Sequence, residues 1–260
     1  VGLGSFPHNF LNEKKGINIA NKNKYYSETS FHYWYWKNIL NQNLNNDWFG
    51  MCQYRRYFVK YEYKDLIKNS AGMQGYYPYI NNFNDLEKIL QKEPSPEWNG
   101  FDVILCEPWS VAVNSKMKLL KRGIKSIIND PLILFDKKKH NIKLHFEMFH
   151  GYDNLNKAIN VMHKKDKKDF INYISKNNML SGHCIFFSNN TKLINNFYTD
   201  LFDWLFKCES IFGFNLKGYD NQRIYSFLTE RYTPFWFNKY AKVKYWPWIY
   251  CDITKFESNY

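Results

Sequence analysis

Two arginines stand side by side, Arg55 and Arg56, inside Gly50-Met51-Cys52-Gln53-Tyr54-Arg55-Arg56-Tyr57-Phe58. Guanidinium groups at the end of an apolar segment are costly to hold near a core unless they bind something anionic. About 30 residues upstream lies a second dense motif, Asn18-Ile19-Ala20-Asn21-Lys22-Asn23. It runs on through Tyr25-Tyr26-Ser27-Glu28-Thr29 to Tyr33-Trp34-Tyr35-Trp36-Lys37-Asn38. Asn18 and Asn23 are suited to fix a loop by bonding backbone groups, and Lys37 could reach a phosphate. The two motifs together suggest one site built from a helix and the strand that follows it. On one strand, neighbouring side chains face opposite ways. One of Arg55 and Arg56 is therefore expected to meet a ligand, and the other to brace the sheet through a carboxylate.

The elements that must position these groups follow from patterning. Ser27 or Thr29 could cap a helix over 27–43, with Glu28 at its positive end and Phe31, Trp34, Tyr35 and Asn38 at helical spacing. Residues 47–59 read as one strand. A helix is expected over 84–92, a buried strand at 102–106 closed by Glu107-Pro108, and a lysine-rich mobile excursion over 114–145. Helices over 153–163 and 167–175 precede a strand at 182–188. A strongly amphipathic helix over 192–209 and another over 220–232, stopped by Thr233-Pro234, complete the pattern. The tail, 235–260, is expected to pack across the core. Strands alternating with helices, without an internal repeat or a linker, predict one α/β domain spanning 1–260.

The chain has 260 residues, with Lys+Arg 36 against Asp+Glu 24, a balance that favours anionic partners. Aromatic residues do not interleave with basic ones in a stacking pattern, so nucleic acid is not signalled as a partner. No apolar run is long enough to span a bilayer. Five scattered cysteines lack metal or redox spacing and read as free thiols in a reducing cytoplasm, where the basic surface could rest on an anionic inner membrane.

These motifs resemble a bacterial glycosyltransferase family catalogued as the domain of unknown function numbered 4422, whose members sit in capsule and lipopolysaccharide clusters. The family pattern runs N-I-S-x-K-N, Y-C-E-L-T-A-L-Y-W-x-W-K-N and G-L-C-H-Y-R-R-Y-F. This chain reads N-I-A-N-K-N, Y-S-E-T-S-F-H-Y-W-Y-W-K-N and G-M-C-Q-Y-R-R-Y-F. Further likenesses fall at Phe101–Leu105, Phe149-His150, Asn178-Met179, Trp204–Phe206, and Arg223 with Glu230-Arg231. The departures are Gln53 for a histidine, Ser27 for a cysteine, and the absence here of the family's upstream strand with its T-H-K-like turn, which is expected to be missing ahead of Val1-Gly2-Leu3-Gly4, itself read as the tail of a preceding element.

The resemblance implies a GT-A-like fold, a central mostly parallel sheet flanked by helices, with a nucleotide sugar at the carboxyl ends of the strands. It implies transfer of a hexose or galactofuranose, from a UDP-linked donor, to a growing surface glycan or lipid-linked glycan. Asn18, Asn23, Glu28, Trp34, Lys37, Asn38, Gln53, Tyr54, Arg55 and Arg56 are then expected at the donor, and His150, Asn178, His183 and Arg223 at the acceptor. Core packing is the competing reading for Trp34 and Trp36, and a structural role for the lone histidines. Such enzymes often hold a divalent metal on a D-x-D motif, which is absent here. Asp166 and Asp169 read instead as solvated, and the arginines are expected to take over part of the metal's role. An inverting transfer needs a base. Asp220, after Gly218-Tyr219 at a helix start, is the first candidate, with helix capping as its alternative. Glu230 is the second, with pairing to Arg56 or Arg231 as its alternative. A non-catalytic glycan-binding protein with a decayed donor site is the competing function.

Overall fold

The computed structural model describes residues 11–40, 47–70 and 73–256. Val1–Gly4, the end of the helix expected to reach 43, and the last four residues lie outside them. In chain order the elements are α1 (Asn23–Tyr26), α2 (Thr29–Asn38), β1 (Phe49–Met51), β2 (Arg56–Phe58), β3 (Lys68–Ser70), β4 (Met73–Tyr76), α3 (Phe83–Ile89), β5 (Val103–Cys106) and β6 (Trp109–Ser110). The second half contains α4 (Lys116–Asn129), α5 (Ile142–His150), α6 (Asn154–Asn160), α7 (Lys164–Lys176), β7 (Met179–Leu180), β8 (Phe186–Ser188), α8 (Thr191–Phe212), α9 (Tyr219–Gln222), α10 (Ile224–Tyr240), β9 (Val243–Trp246) and β10 (Trp248–Tyr250).

The class is α/β, as expected, but the central sheet is mixed. Its order is β1-β8-β5-β9, with β8 antiparallel to β1 and β5, and only β5 and β9 parallel. The expected mostly parallel sheet fails because, after α4 to α7, the chain returns antiparallel along β6 as β7 and then enters the sheet as β8, antiparallel to both of its neighbours. All four residues of β5 are buried. Val103 and Leu105 face the large helical core, with Phe197, Leu201 and Phe237. Ile104 and Cys106 face a tryptophan-rich layer of Trp98, Trp246 and Trp248. Burial on both faces explains the unbroken apolar run.

Several expected boundaries shift for identifiable reasons. Residues 47–59 form two strands rather than one, because the chain turns at Gln53–Arg56, where Arg56 N–H donates to the Gln53 carbonyl. β2 then joins β10 in a separate ribbon. Neither Ser27 nor Thr29 caps α2. Ser27 takes φ 52° in the turn after α1, its carbonyl accepting from the Asn23 amide and the Ser30 hydroxyl, and Glu28 takes the N-cap place. The expected excursion over 114–145 is mostly helical. α4 buries Leu119, Gly123, Ser126 and Ile127 at helical spacing and is capped by Ser115. Thr233-Pro234 does not stop α10, which continues to Tyr240 because every residue from Arg231 to Phe237 is buried. Asp166 is fully buried, not solvated: it accepts from Tyr240 at 2.6 Å, Lys239 at 3.0 Å and Tyr232 at 3.2 Å, tying α7 to α10. Asp169 is exposed and pairs with Lys239. The tail supplies β9 and β10, strands that its aromatic composition did not announce.

Candidate functional site

β5 and β9 run parallel, so their carboxyl ends open on the same side, at Glu107-Pro108-Trp109 and Pro247-Trp248. In open α/β sheets ligands gather at such ends. Here the start of α2, the Gln53–Arg56 turn, one face of α10, one face of α5 and the β7–β8 connection converge.

Glu28 is the hub. Its Oε1 accepts from the Gln53 amide at 2.8 Å and from the Ser226 hydroxyl at 3.3 Å, and its Oε2 lies 3.3 Å from Arg223. Gln53 in turn accepts from Arg56 through Oε1 at 2.7 Å, and its amide also donates to the His183 carbonyl. A neutral amide thus bridges the carboxylate to the guanidinium. A quarter of the Glu28 side chain meets solvent. Protein nonetheless hems it in: burial raises its carboxyl pKa, and the nearby Glu230 carboxylate raises it further.

Arg223, at the N-cap of α10, and Ser226, Phe227, Glu230 and Arg231 fall at i, i+3, i+4, i+7 and i+8, on one face of that helix. Arg231 is 1% exposed. Its Nη1 donates to Glu230 at 2.7 Å and to the Phe227 carbonyl at 3.1 Å. Its Nη2 reaches His145 Nδ1 at 3.1 Å and His150 Nε2 at 3.3 Å. An arginine can only donate, so both ring nitrogens act as acceptors and His150 Nδ1–H donates to the Asp220 carbonyl at 3.0 Å. Burial and the Arg231 charge push His145 down to about 3 and His150 to about 2, so both rings are neutral. His183 is depressed by burial and by Arg56 and Arg231.

Eight buried side-chain polar atoms lack a partner among the described residues, and four of them, Arg56 Nε, Trp109 Nε1, His183 Nε2 and Arg231 Nε, belong to this one cluster. Ser27, His183 and Cys184 adopt positive φ beside it, where non-glycine residues are strained. Unsatisfied groups and strain gathered in one place mark a region shaped for something other than stability. Trp109 lies across His183, ring centroids 6.0 Å apart, and edge-on to His145. Beyond it opens a cavity of about 670 Å³ walled by Trp109, Phe149 and His145 and by Asn114, Ser115 and Lys118.

The remaining expected site residues divide. Asn18 bonds the Gly16 carbonyl and the Ala20 N–H, and Asn38 bonds Ile17 on both sides of its peptide. Asn23 bonds the buried Glu13 and Ser30. These three asparagines fix the loop ahead of Glu28 rather than line the cleft. Trp34 is core, donating to the Lys15 carbonyl, and Lys37 sits 3.3 Å over the Trp36 ring. Tyr54 is exposed, and Arg55 leans on it and pairs with Asp252 at 3.4 Å, away from Gln53. Asp220 brings its carbonyl to His150, but its carboxylate is exposed and 3.5 Å from Arg122. Asn178 is an edge residue whose carbonyl accepts from Val111, next to Met179 on the cavity wall. Sequence reasoning missed His145, Ser226 and Trp109. The polar stripe on α10 was the signal for Ser226, whereas His145 and Trp109 are placed by tertiary packing.

The described residues hold no group of three His, Cys, Asp or Glu side chains able to ligate a metal. At the end of β5 the lone carboxylate, Glu107, is 2.9 Å from Lys64.

Residues 3–242 match the family described as Domain of unknown function (DUF4422). No curated protein matches the chain. Among solved structures, one titled as the apo structure of the bifunctional glycosyltransferase WbbM is similar in fold, with a TM-score of 0.67 at 20% identity. The likeness covers 92% of this chain and 39% of that one, so the chain spans well under half the length of its structural relative.

Proposed function

This chain belongs to the DUF4422 family, and from that premise we propose that it is a glycosyltransferase. It moves a hexose or galactofuranose from a nucleotide-diphosphate donor, UDP-linked, to a hydroxyl of a growing capsular or lipopolysaccharide glycan. The observation that carries this reading is the Glu28–Gln53–Arg56 relay facing Arg223 and the Glu230–Arg231 pair, at the carboxyl ends of β5 and β9. The fold shared with a bifunctional glycosyltransferase supports it.

In this reading Arg56 and Arg223 meet the charge that develops on the leaving diphosphate, where preorganised donors contribute most. Glu28 takes the acceptor hydroxyl's proton. Its raised pKa brings it nearer the working pH, as a general base requires. Asp220, whose carboxylate turns to Arg122, gives way to Glu28 in that role, and Glu230 holds Arg231. Trp109 and Phe149, with the polar groups beside them, suit a sugar ring's apolar face and hydroxyls.

A thermal-shift and hydrolysis screen against UDP-, GDP-, CMP- and dTDP-sugars, with Mn²⁺ or EDTA, tests the reading. A shift with one nucleotide class that survives EDTA is expected. A shift abolished by EDTA would keep the transferase and remove the arginines from the metal's role. Silence across the panel, with glycan binding intact, would favour a glycan-binding protein.

A further inference from the structure

α4 carries two apolar faces. One packs on the core through Leu119, Gly123 and Ile127. The other consists of Met117, Leu120, Ile124 and Ile128, spaced i, i+3, i+7 and i+11 and exposed by 81%, 47%, 47% and 71%. The turn that follows leaves Leu132 and Phe135 exposed as well, by 59% and 82%. Lys116, Lys118, Lys121, Arg122 and Lys125 flank the stripe, and the helix contains no Asp or Glu. Arg122 pairs with Asp220, whereas Lys116, Lys121 and Lys125 have no ion-pair partner among the described residues. Lys137-Lys138-Lys139 adds further positive charge just beyond.

We propose that this face of α4 docks on an anionic phospholipid surface, lying in the plane of the interface. Four aliphatic side chains with no hydrogen-bonding group among them match acyl chains, and the unpaired lysines match lipid phosphates. The helix has 14 residues, and no described helix is long and apolar enough to cross a membrane, so it lies on the bilayer. Ser115 and Lys118 at its start also wall the 670 Å³ cavity. Docking therefore brings the cavity mouth to the lipid headgroups, the place where a lipid-linked glycan presents its hydroxyls. Only that last consequence rests on the transferase reading.

The test is flotation of the full chain with phosphatidylcholine vesicles, with and without one-third phosphatidylglycerol, at low and high salt. Binding is expected only with the anionic lipid, weakening as salt rises. The Met117→Gln/Ile124→Gln/Ile128→Gln and Lys121→Gln/Lys125→Gln variants should each lower the partition coefficient at least tenfold while keeping the wild-type melting temperature. No binding to anionic vesicles overturns the proposal. So does full binding by the apolar-stripe variant, or self-association through the stripe without vesicle binding. Nucleotide-induced thermal shifts run on the same variants separate the two readings: lost flotation with an intact shift leaves the donor site untouched.

Discussion

Replacing Glu28 by Gln is the sharpest perturbation of the proposed centre. The isostere keeps an oxygen for the Gln53 amide and the Ser226 hydroxyl, and removes one negative charge. What it loses structurally is the 3.3 Å pair with Arg223, a contact in which both side chains are about a quarter open to solvent. Such a pair contributes roughly 0–1 kcal/mol. What it relieves is the burial penalty on a carboxylate that also feels Glu230. The two effects oppose, so stability in urea should change by less than about 1 kcal/mol. Activity should respond far more. Loss of a positioned base typically costs about 10²–10⁴ in rate, or roughly 3–5 kcal/mol of transition-state stabilisation. Nucleotide release from the donor found by the screen, followed at saturating substrate, measures it. The pH profile gives a second readout. A base acts deprotonated, and the Glu28 pKa is raised, so the wild-type rate should climb with pH along a limb lying above the usual carboxylate range. That limb should vanish in Glu28→Gln. A variant that keeps more than a tenth of the rate with the limb intact refutes the assignment. A variant that loses several kcal/mol of stability refutes the claim that the carboxylate is poised rather than structural.

Arg56→Ala should weaken the nucleotide-induced thermal shift and lower turnover at least tenfold, whereas Arg55→Ala, which leaves only the Asp252 pair unmade, should change either by less than threefold. Asp220→Asn should retain most activity, because its carboxylate is exposed; a loss above a hundredfold would return it to the base role. His32 and His150 are buried and held neutral, at about 4 and about 2, while the unfolded chain takes up their protons below about 6.5. Their contribution is full above that pH and is lost as it falls. At pH 5 each should have withdrawn about 2 kcal/mol, readable as a fall in the urea midpoint between pH 7 and 5. Asp166→Ala leaves the Tyr232 and Tyr240 hydroxyls without their acceptor beside a buried hole, while Lys239 keeps Asp169, and should cost about 1–3 kcal/mol, measured by the same denaturation.

The sequence discloses elements wherever one physical requirement dominates a segment. β5 is legible because both its faces are buried, and α8 because one stripe of it is. α4 is not, because a second, exposed apolar face fills the positions that would otherwise be polar and blurs the helical period. Strand 47–59 reads as continuous since nothing in Gln53-Tyr54-Arg55 is a strong turn former; the break is fixed by tertiary pairing of β2 with β10. At the site, the front motif locates Glu28, Gln53 and Arg56 but cannot say which of its polar residues look inward. Asn18, Asn23 and Asn38 are spent on holding their own loop. The Glu230–Arg231 pair is legible locally, but the burial of Arg231 and its two neutral histidine acceptors are not, because His145 and His150 come from α5.

The parallel pairing of β5 with β9 has a temporal side. Asp102 and Lys242, bonded at the start of that ladder, stand 140 residues apart in the chain. During synthesis β5 must therefore wait, one edge uncovered, until almost all the later helices have emerged. Long-range parallel pairing of this kind is slow to form, and an open apolar edge invites pairing with other chains. Folding of the sheet should consequently be the late, concentration-sensitive step, with a nascent chain ending before Val243 dependent on a chaperone to cover Val103–Cys106.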